Sequence, residues 1–278
     1  MLIVASFVVF GGFEIAGTMQ RMRGVAVQNL DTLFKVKNIQ ALPEGSLRPH
    51  GNDDITVKNI TFGYGGKKNT EEKLFRNLDV YIPKNSVTAL VGYSGSGKTS
   101  LCQLIARFWD VDKGTVSLDR KNVKEYSMDS LMENFSFVFQ NVYLFHDTVA
   151  NNIRFGQPNA PMEDVITAAK KACCHDFIMA LPDGYDTMIG ENGASLSGGE
   201  KQRISIARAI MKDAPVIILD EATANVDPEN ENELMHAIHA LTAEKTVIMI
   251  AHRLKTVERA DQIIVVDHGK IVQQGTHA

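Results

Sequence analysis

Five largely apolar residues, Val87-Thr-Ala-Leu-Val91, run without a break into Gly92-Tyr-Ser-Gly-Ser-Gly-Lys-Thr99. A short apolar run of this kind reads as a strand buried on both faces. The glycine-rich loop hands over to a helical stretch, Ser100-Leu-Cys-Gln-Leu-Ile-Ala-Arg107. Strand, glycine loop and helix in that order make a cradle for phosphate. Glycine admits the torsions that turn consecutive N–H groups toward one anion. The helix start adds the positive end of its dipole. The candidate phosphate-binding residues are Gly92, Ser94, Gly95, Ser96, Gly97, Lys98, Thr99 and Ser100. Lys98 has the reach for terminal phosphates, and the Thr99 hydroxyl suits Mg2+. Alone, this loop does not choose between a kinase, a GTPase and an ATPase.

A second apolar run, Val216-Ile-Ile-Leu219, ends in Asp220-Glu221. Such a strand delivers its carboxylates to the C-terminal edge of the sheet, where ligands sit in α/β folds. Asp220 suits a Mg2+ ion, through water. Glu221 suits the orientation of a water molecule for attack on a γ-phosphate. Further strands are expected at 55–62, 115–118, 135–139, 246–250 and 262–266, with Gly63 to Lys73 as a hairpin loop. Residues 141–195 read as mostly helical, and Leu234, Ile238 and Leu241 give another helix stripe. Apolar strands alternating with helices imply an α/β fold around a mostly parallel sheet.

At 278 residues the chain has room for one large domain, or one with appendages. Its net charge of -4 lacks the basic surplus of a nucleic-acid binder, so no nucleic-acid partner is expected. Three cysteines, Cys102, Cys173 and Cys174, do not form a disulfide framework or a zinc spacing, and reduced thiols are expected. Met1 to Phe13 carries no charge, and Arg21 and Arg23 follow it. A helix of that length spans about 20 Å against roughly 30 Å of bilayer hydrocarbon. So short a run usually means a buried helix in a soluble protein. The rest of the chain favours part of a membrane helix, leaving the bilayer on the cytoplasmic side. Residues 14–40 read as helical, and Pro- and Gly-rich residues 41–53 as a linker.

Leu196-Ser-Gly-Gly-Glu-Lys-Gln-Arg203 opens another helix. Ser197, Gly198 and Gly199 there make a second anion site. One subunit already has one phosphate cradle, so a remote second one makes sense if it caps a nucleotide held by another subunit. With this motif the chain resembles the ABC (ATP-binding cassette) ATPases. The resemblance covers about 54–278. It implies a P-loop cassette with an antiparallel β subdomain and a helical signature subdomain at about 141–196. Residues 1–40 would be the end of a transmembrane domain.

It also implies ATP and Mg2+ as cofactors. Tyr64 corresponds to the aromatic that stacks on adenine. Gln140 corresponds to the glutamine that touches Mg2+ and senses the membrane part, and His252 to the histidine on the γ-phosphate. Asp227 belongs to a dimer-contact loop, in which Asn225 and Val226 depart from the commoner exporter form. Asn192 stands where the exporter loop before the signature commonly has arginine. The stretch Asn141 to Ile153 is similar to the exporter branch. The expected partners are a second cassette, identical or different, and transmembrane helices in the cell membrane. The alternatives are a soluble ABC ATPase acting on DNA or ribosomes, and a regulatory subunit that binds nucleotide without turnover. The chain reads as a piece of a longer transporter, or as one needing other membrane subunits.

Overall fold

The computed structural model describes residues 45, 54–66, 73–190, 196–222, 231–251 and 257–277. The expectations placed on the N-terminal apolar run, nearly all of the linker, Asn192, Asn225 to Asp227 and His252 lie outside them. In chain order the strands and longer helices begin with β1 (Ile55–Phe62), β2 (Phe75–Ile82), β3 (Val87–Val91) and α1 (Lys98–Ile105). Next come β4 (Lys113–Leu118), β5 (Lys121–Asn122), α2 (Met128–Glu133), β6 (Phe135–Val138) and β7 (Asp147–Thr148). They are followed by α3 (Val149–Arg154), α4 (Met162–Lys171), α5 (His175–Met179), β8 (Met188–Ile189) and α6 (Gly198–Lys212). The last are β9 (Val216–Asp220), α7 (Glu231–Thr242), β10 (Thr246–Ile250), β11 (Gln262–Asp267) and β12 (Lys270–Gly275). Among the described residues no helix is long and apolar enough to cross a membrane.

The main sheet has the order β12-β11-β3-β10-β9-β6. Five strands are parallel, and β12 closes one edge antiparallel to β11. Period-two alternation assigns each residue a face. Val216, Ile218, Ile248, Ile250, Ile264 and Val266 pack on one side with α1. Ile217, Leu219, Val247 and Met249 pack on the other with α3, α4, α6 and α7. Because the strands are parallel, their C-terminal ends share one edge. Gly92, Gln140 and Glu221 leave β3, β6 and β9 there, as the strand order requires.

A second, antiparallel sheet has the order β2-β1-β4-β5. Strand β1 does not keep strict alternation. Its register shifts around Asn59, whose φ is 49° and whose N–H donates to Asp79 Oδ1 at 2.9 Å. That bulge returns Ile60 and Phe62 to the core face after Ile55 and Val57.

The segment between Asn141 and the signature is less uniformly helical than its sequence suggests. Three short helices lie between the two strands of an antiparallel pair, in which Asp147 faces Ile189 and Thr148 faces Met188. Asp147 also caps locally, accepting from Thr148 N–H at 2.7 Å and Asn151 Nδ2 at 2.8 Å. These hydrogen bonds hold its carboxyl below the usual range, the Asn151 bond contributing most. All three cysteines are free thiols. Burial pushes the Cys102 and Cys174 thiols up, which keeps them protonated and inert.

Candidate active site

The phosphate loop is built as its glycines require. Gly92 has φ 146°, Gly95 78° and Gly97 110°, in a region that L side chains rarely adopt. Gly92 is also crowded, since a Cβ there would lie 2.1 Å from Val266 O. Gly97 directly precedes Lys98, the first residue of α1. We expect Gly92→Ala to lose nucleotide binding and to lower the unfolding free energy by about 1–3 kcal/mol through backbone strain. Paired urea unfolding and nucleotide titration would measure both.

Lys98 is buried, and its Nζ donates to Gly92 O at 2.9 Å and Tyr93 O at 2.8 Å. The ammonium therefore sits inside the curl of the loop. Desolvation lowers its pKa, and the Glu221 and Asp220 carboxylates act against that shift. Their pull favours the charged form.

Glu221 follows β9 with φ 49°, and its N–H donates to Ile250 O at 3.3 Å. Gln140, two residues past β6, donates from Nε2 to Glu221 Oε2 at 2.7 Å. Tyr64 lies beyond β1, with its hydroxyl bonded to Ser100 Oγ at 2.9 Å and to Gln103 Oε1 at 3.0 Å. Its ring meets Phe62 edge-on at 4.9 Å and Trp109 at 5.4 Å.

Tyr64, the loop residues Ser94, Gly95, Gly97, Lys98, Thr99 and Ser100, and Glu221 line one cleft of about 680 Å³. Five more of its lining residues were not singled out in the sequence: Gly63, Lys73, Leu74, Arg76 and His268. His268 sits in the turn between β11 and β12, and nothing local in the sequence pointed that turn at the phosphate loop. The link is a tertiary hydrogen bond, from Gly269 N–H to Ser96 O at 3.0 Å.

Thr99 lines the cleft, while Asp220 ends β9 and Gln140 follows β6, both outside its lining; the three offer hard oxygen donors of the kind that suit a small cation. Among the described residues no cluster of three His, Cys, Asp or Glu could hold a metal by itself. One carboxylate, a hydroxyl and an amide oxygen are what Mg2+ takes when phosphates and water complete its shell.

Ser197, Gly198 and Gly199 do not line this cleft. Ser197 caps α6: its Oγ accepts from Glu200 N–H at 3.3 Å, and its N–H donates to Glu200 Oε2 at 2.8 Å. This capping box fixes the helix start while Ser197 and Gly198 stay exposed.

A second groove, of about 480 Å³, opens beside Gln140 and is lined by Phe139, Tyr143, Phe145, Phe155 and Arg208 among others. Arg208 donates to Asn152 O, Asn152 Oδ1 and Tyr143 O, and lies 5.4 and 5.5 Å from the Phe145 and Phe155 ring centroids. Burial lowers its pKa to about 10, which still leaves a cation at neutral pH. Four aromatic rings are thus left partly exposed around one fixed charge.

A family model described as ABC transporter matches residues 75–224, just over half of the chain. The chain belongs to the ABC transporter family. The "ATP-dependent lipid A-core flippase" of Photobacterium profundum is 45% identical over 263 residues, 94% of this chain and 44% of that protein. The Vibrio cholerae protein of the same name is 47% identical over 264 residues, again 94% and 44%. A solved bacterial Atm1-family ABC exporter with ATP bound superposes with a TM-score of 0.80 at 34% identity, covering 90% of this chain and 44% of that one. The chain therefore spans less than half the length of these ABC relatives. The mixed α/β architecture is that of an ABC cassette.

Proposed function

We propose that this chain is the ATP-binding and hydrolysing part of an exporter-type ABC transporter. The observation that carries the reading is a division: Lys98, Glu221 and Tyr64 share one cleft, while Ser197 to Gly199 stand away from it, at a helix start whose first residues are exposed. A second cassette supplies the missing signature to each cleft. ATP lies with its base against Tyr64 and its phosphates in the loop from Gly92 to Ser100. Thr99, Gln140 and Asp220 would hold Mg2+, which when bound would neutralise phosphate charge. Glu221 orients water and takes its proton as the water oxygen attacks the γ-phosphorus. The bond to the β–γ bridging oxygen breaks, and ADP and phosphate leave. Lys98 and the loop N–H groups stabilise the charge on the transferring group. His252 contacts the γ-phosphate, and Asp227 meets the partner cassette.

Residues 1–40 belong to a transmembrane domain, 41–53 to a linker and 54–278 to the cassette, which faces the cytoplasm at the cell membrane. The aromatic groove around Arg208 receives the membrane domain, because it adjoins Gln140 and leaves apolar rings exposed. The relatives' names favour a lipidic cargo moved outward. The two cassettes are identical or different copies of this type.

Hydrolysis should depend on a divalent cation. The full chain in MgATP should release phosphate, excess EDTA should stop it, and added Mg2+ should restore it. Equal release with and without EDTA would overturn the metal assignment. Tight ATP binding with no release at all would favour the regulatory-subunit reading.

A further inference from the structure

Three polar contacts converge on one carboxyl-bearing residue that lies outside the phosphate loop. Asp112 stands in the connection between α1 and β4. Its Oδ2 accepts from Gly63 N–H at 3.1 Å and from Lys73 Nζ at 3.1 Å. Its own N–H donates to Thr61 O at 2.9 Å. Gly63 precedes Tyr64, and both Gly63 and Lys73 line the nucleotide cleft. The same connection carries Trp109, whose ring stands edge-on to Tyr64.

Tyr64 is therefore held from three directions. Its hydroxyl is tied to α1, its ring is walled by Phe62 and Trp109, and its turn is clipped through Gly63 to Asp112. Tyr64 is 39% exposed, so packing alone does not immobilise it. A surface turn left loose would have to be ordered each time a base stacked on it, and that ordering subtracts from affinity. The Lys73 ammonium, with its side chain only 9% exposed, is drawn to the same oxygen and so lies against the base of the turn. Among the described residues the hydrogen bonds of Asp112 go to Gly63, Lys73 and Thr61 and not to the phosphate loop.

We propose that Asp112 is a positioning residue: it preorganises Tyr64 and Lys73 for the base end of a purine nucleotide and takes no part in the chemistry. The inference rests on the nucleotide reading above. Asp112→Ala in the full chain should raise the KM for MgATP about tenfold, the size of one charge-assisted hydrogen bond, with kcat changed less than twofold. Inorganic tripolyphosphate, which has no base to stack, should bind wild type and variant equally. Trp109 is the only tryptophan, so its emission should shift in the ligand-free variant as the Tyr64 ring leaves its edge.

A matched loss of kcat and of tripolyphosphate affinity would make Asp112 structural only and overturn the proposal. So would an unchanged KM. If Asp112→Ala does not fold, Asp112→Asn decides the matter. It should raise KM about threefold and spare tripolyphosphate, since it loses the ion pair with Lys73 and keeps an acceptor for Gly63. Unchanged KM in Asp112→Asn would overturn the proposal. Wild type that binds neither MgATP nor tripolyphosphate would instead bring down the nucleotide reading, and this inference with it.

Discussion

Glu221→Gln should cut ATP hydrolysis by about 10²- to 10³-fold while leaving ATP affinity within a few-fold of wild type, the loss expected when a general base is removed. The substitution is close to isosteric. Its amide oxygen can still accept from Gln140 Nε2, so the 2.7 Å contact survives in geometry. Its backbone keeps the left-handed torsion and the hydrogen bond to Ile250 O. The loss is confined to the negative charge that orients water and accepts its proton. Binding and turnover should then separate. With ATP bound but not cleaved, two-chain complexes should accumulate in MgATP and be visible by size-exclusion chromatography with light scattering. Turnover within twofold of wild type would remove Glu221 from its role. Lost binding would mean that the substitution had disturbed the end of β9 instead.

The parallel sheet and the phosphate loop were legible because each is local. Val87 to Val91 and Val216 to Leu219 are short and apolar because both of their faces are covered, and each strand ends in a turn with its own chemistry. The α6 start was legible for the same reason, since Ser197 and Glu200 cap each other within one turn. Strand β12 was missed because at the sheet edge it is almost wholly exposed and mixes Lys270 and Gln273 with Ile271 and Val272. Strand β2 lies just beyond the expected loop, and the bulge at Asn59 shifts its register with β1. Of the cleft's outer wall only Tyr64 and Ser100 were legible, and Trp109 and Asp112 were not. Tyr64, Ser100, Trp109 and Asp112 come together only because β1 and β4 pair and α1 packs beneath them. No sequence period records that a glycine N–H will meet a carboxylate 49 residues away. Tyr64 itself was found through the family resemblance, because one tyrosine after a strand is otherwise an ordinary core aromatic.

Lys98→Ala and Ser197→Arg should each abolish turnover alone, yet recover part of it when the two chains are mixed. The first removes the cation that loop carbonyls hold inside the phosphate cradle, and loss of one such stabilising group costs about 10²- to 10³-fold. The second puts a long, charged side chain where the exposed start of α6 must approach the nucleotide of another chain. Its own cleft is untouched, since Ser197 is not among the residues that line it. A mixed dimer then holds one site with both lesions and one with neither. Only the intact site turns over, so activity should rise with the fraction of mixed dimers and vanish when they are separated. If each chain owned a complete site, Ser197→Arg alone would stay active. If Ser197 served only to cap its helix, as the capping box permits, Ser197→Arg would lose stability along with activity. Activity absent from a mixture shown to contain mixed dimers would mean that the two lesions act within one chain, and the shared site would have to be given up.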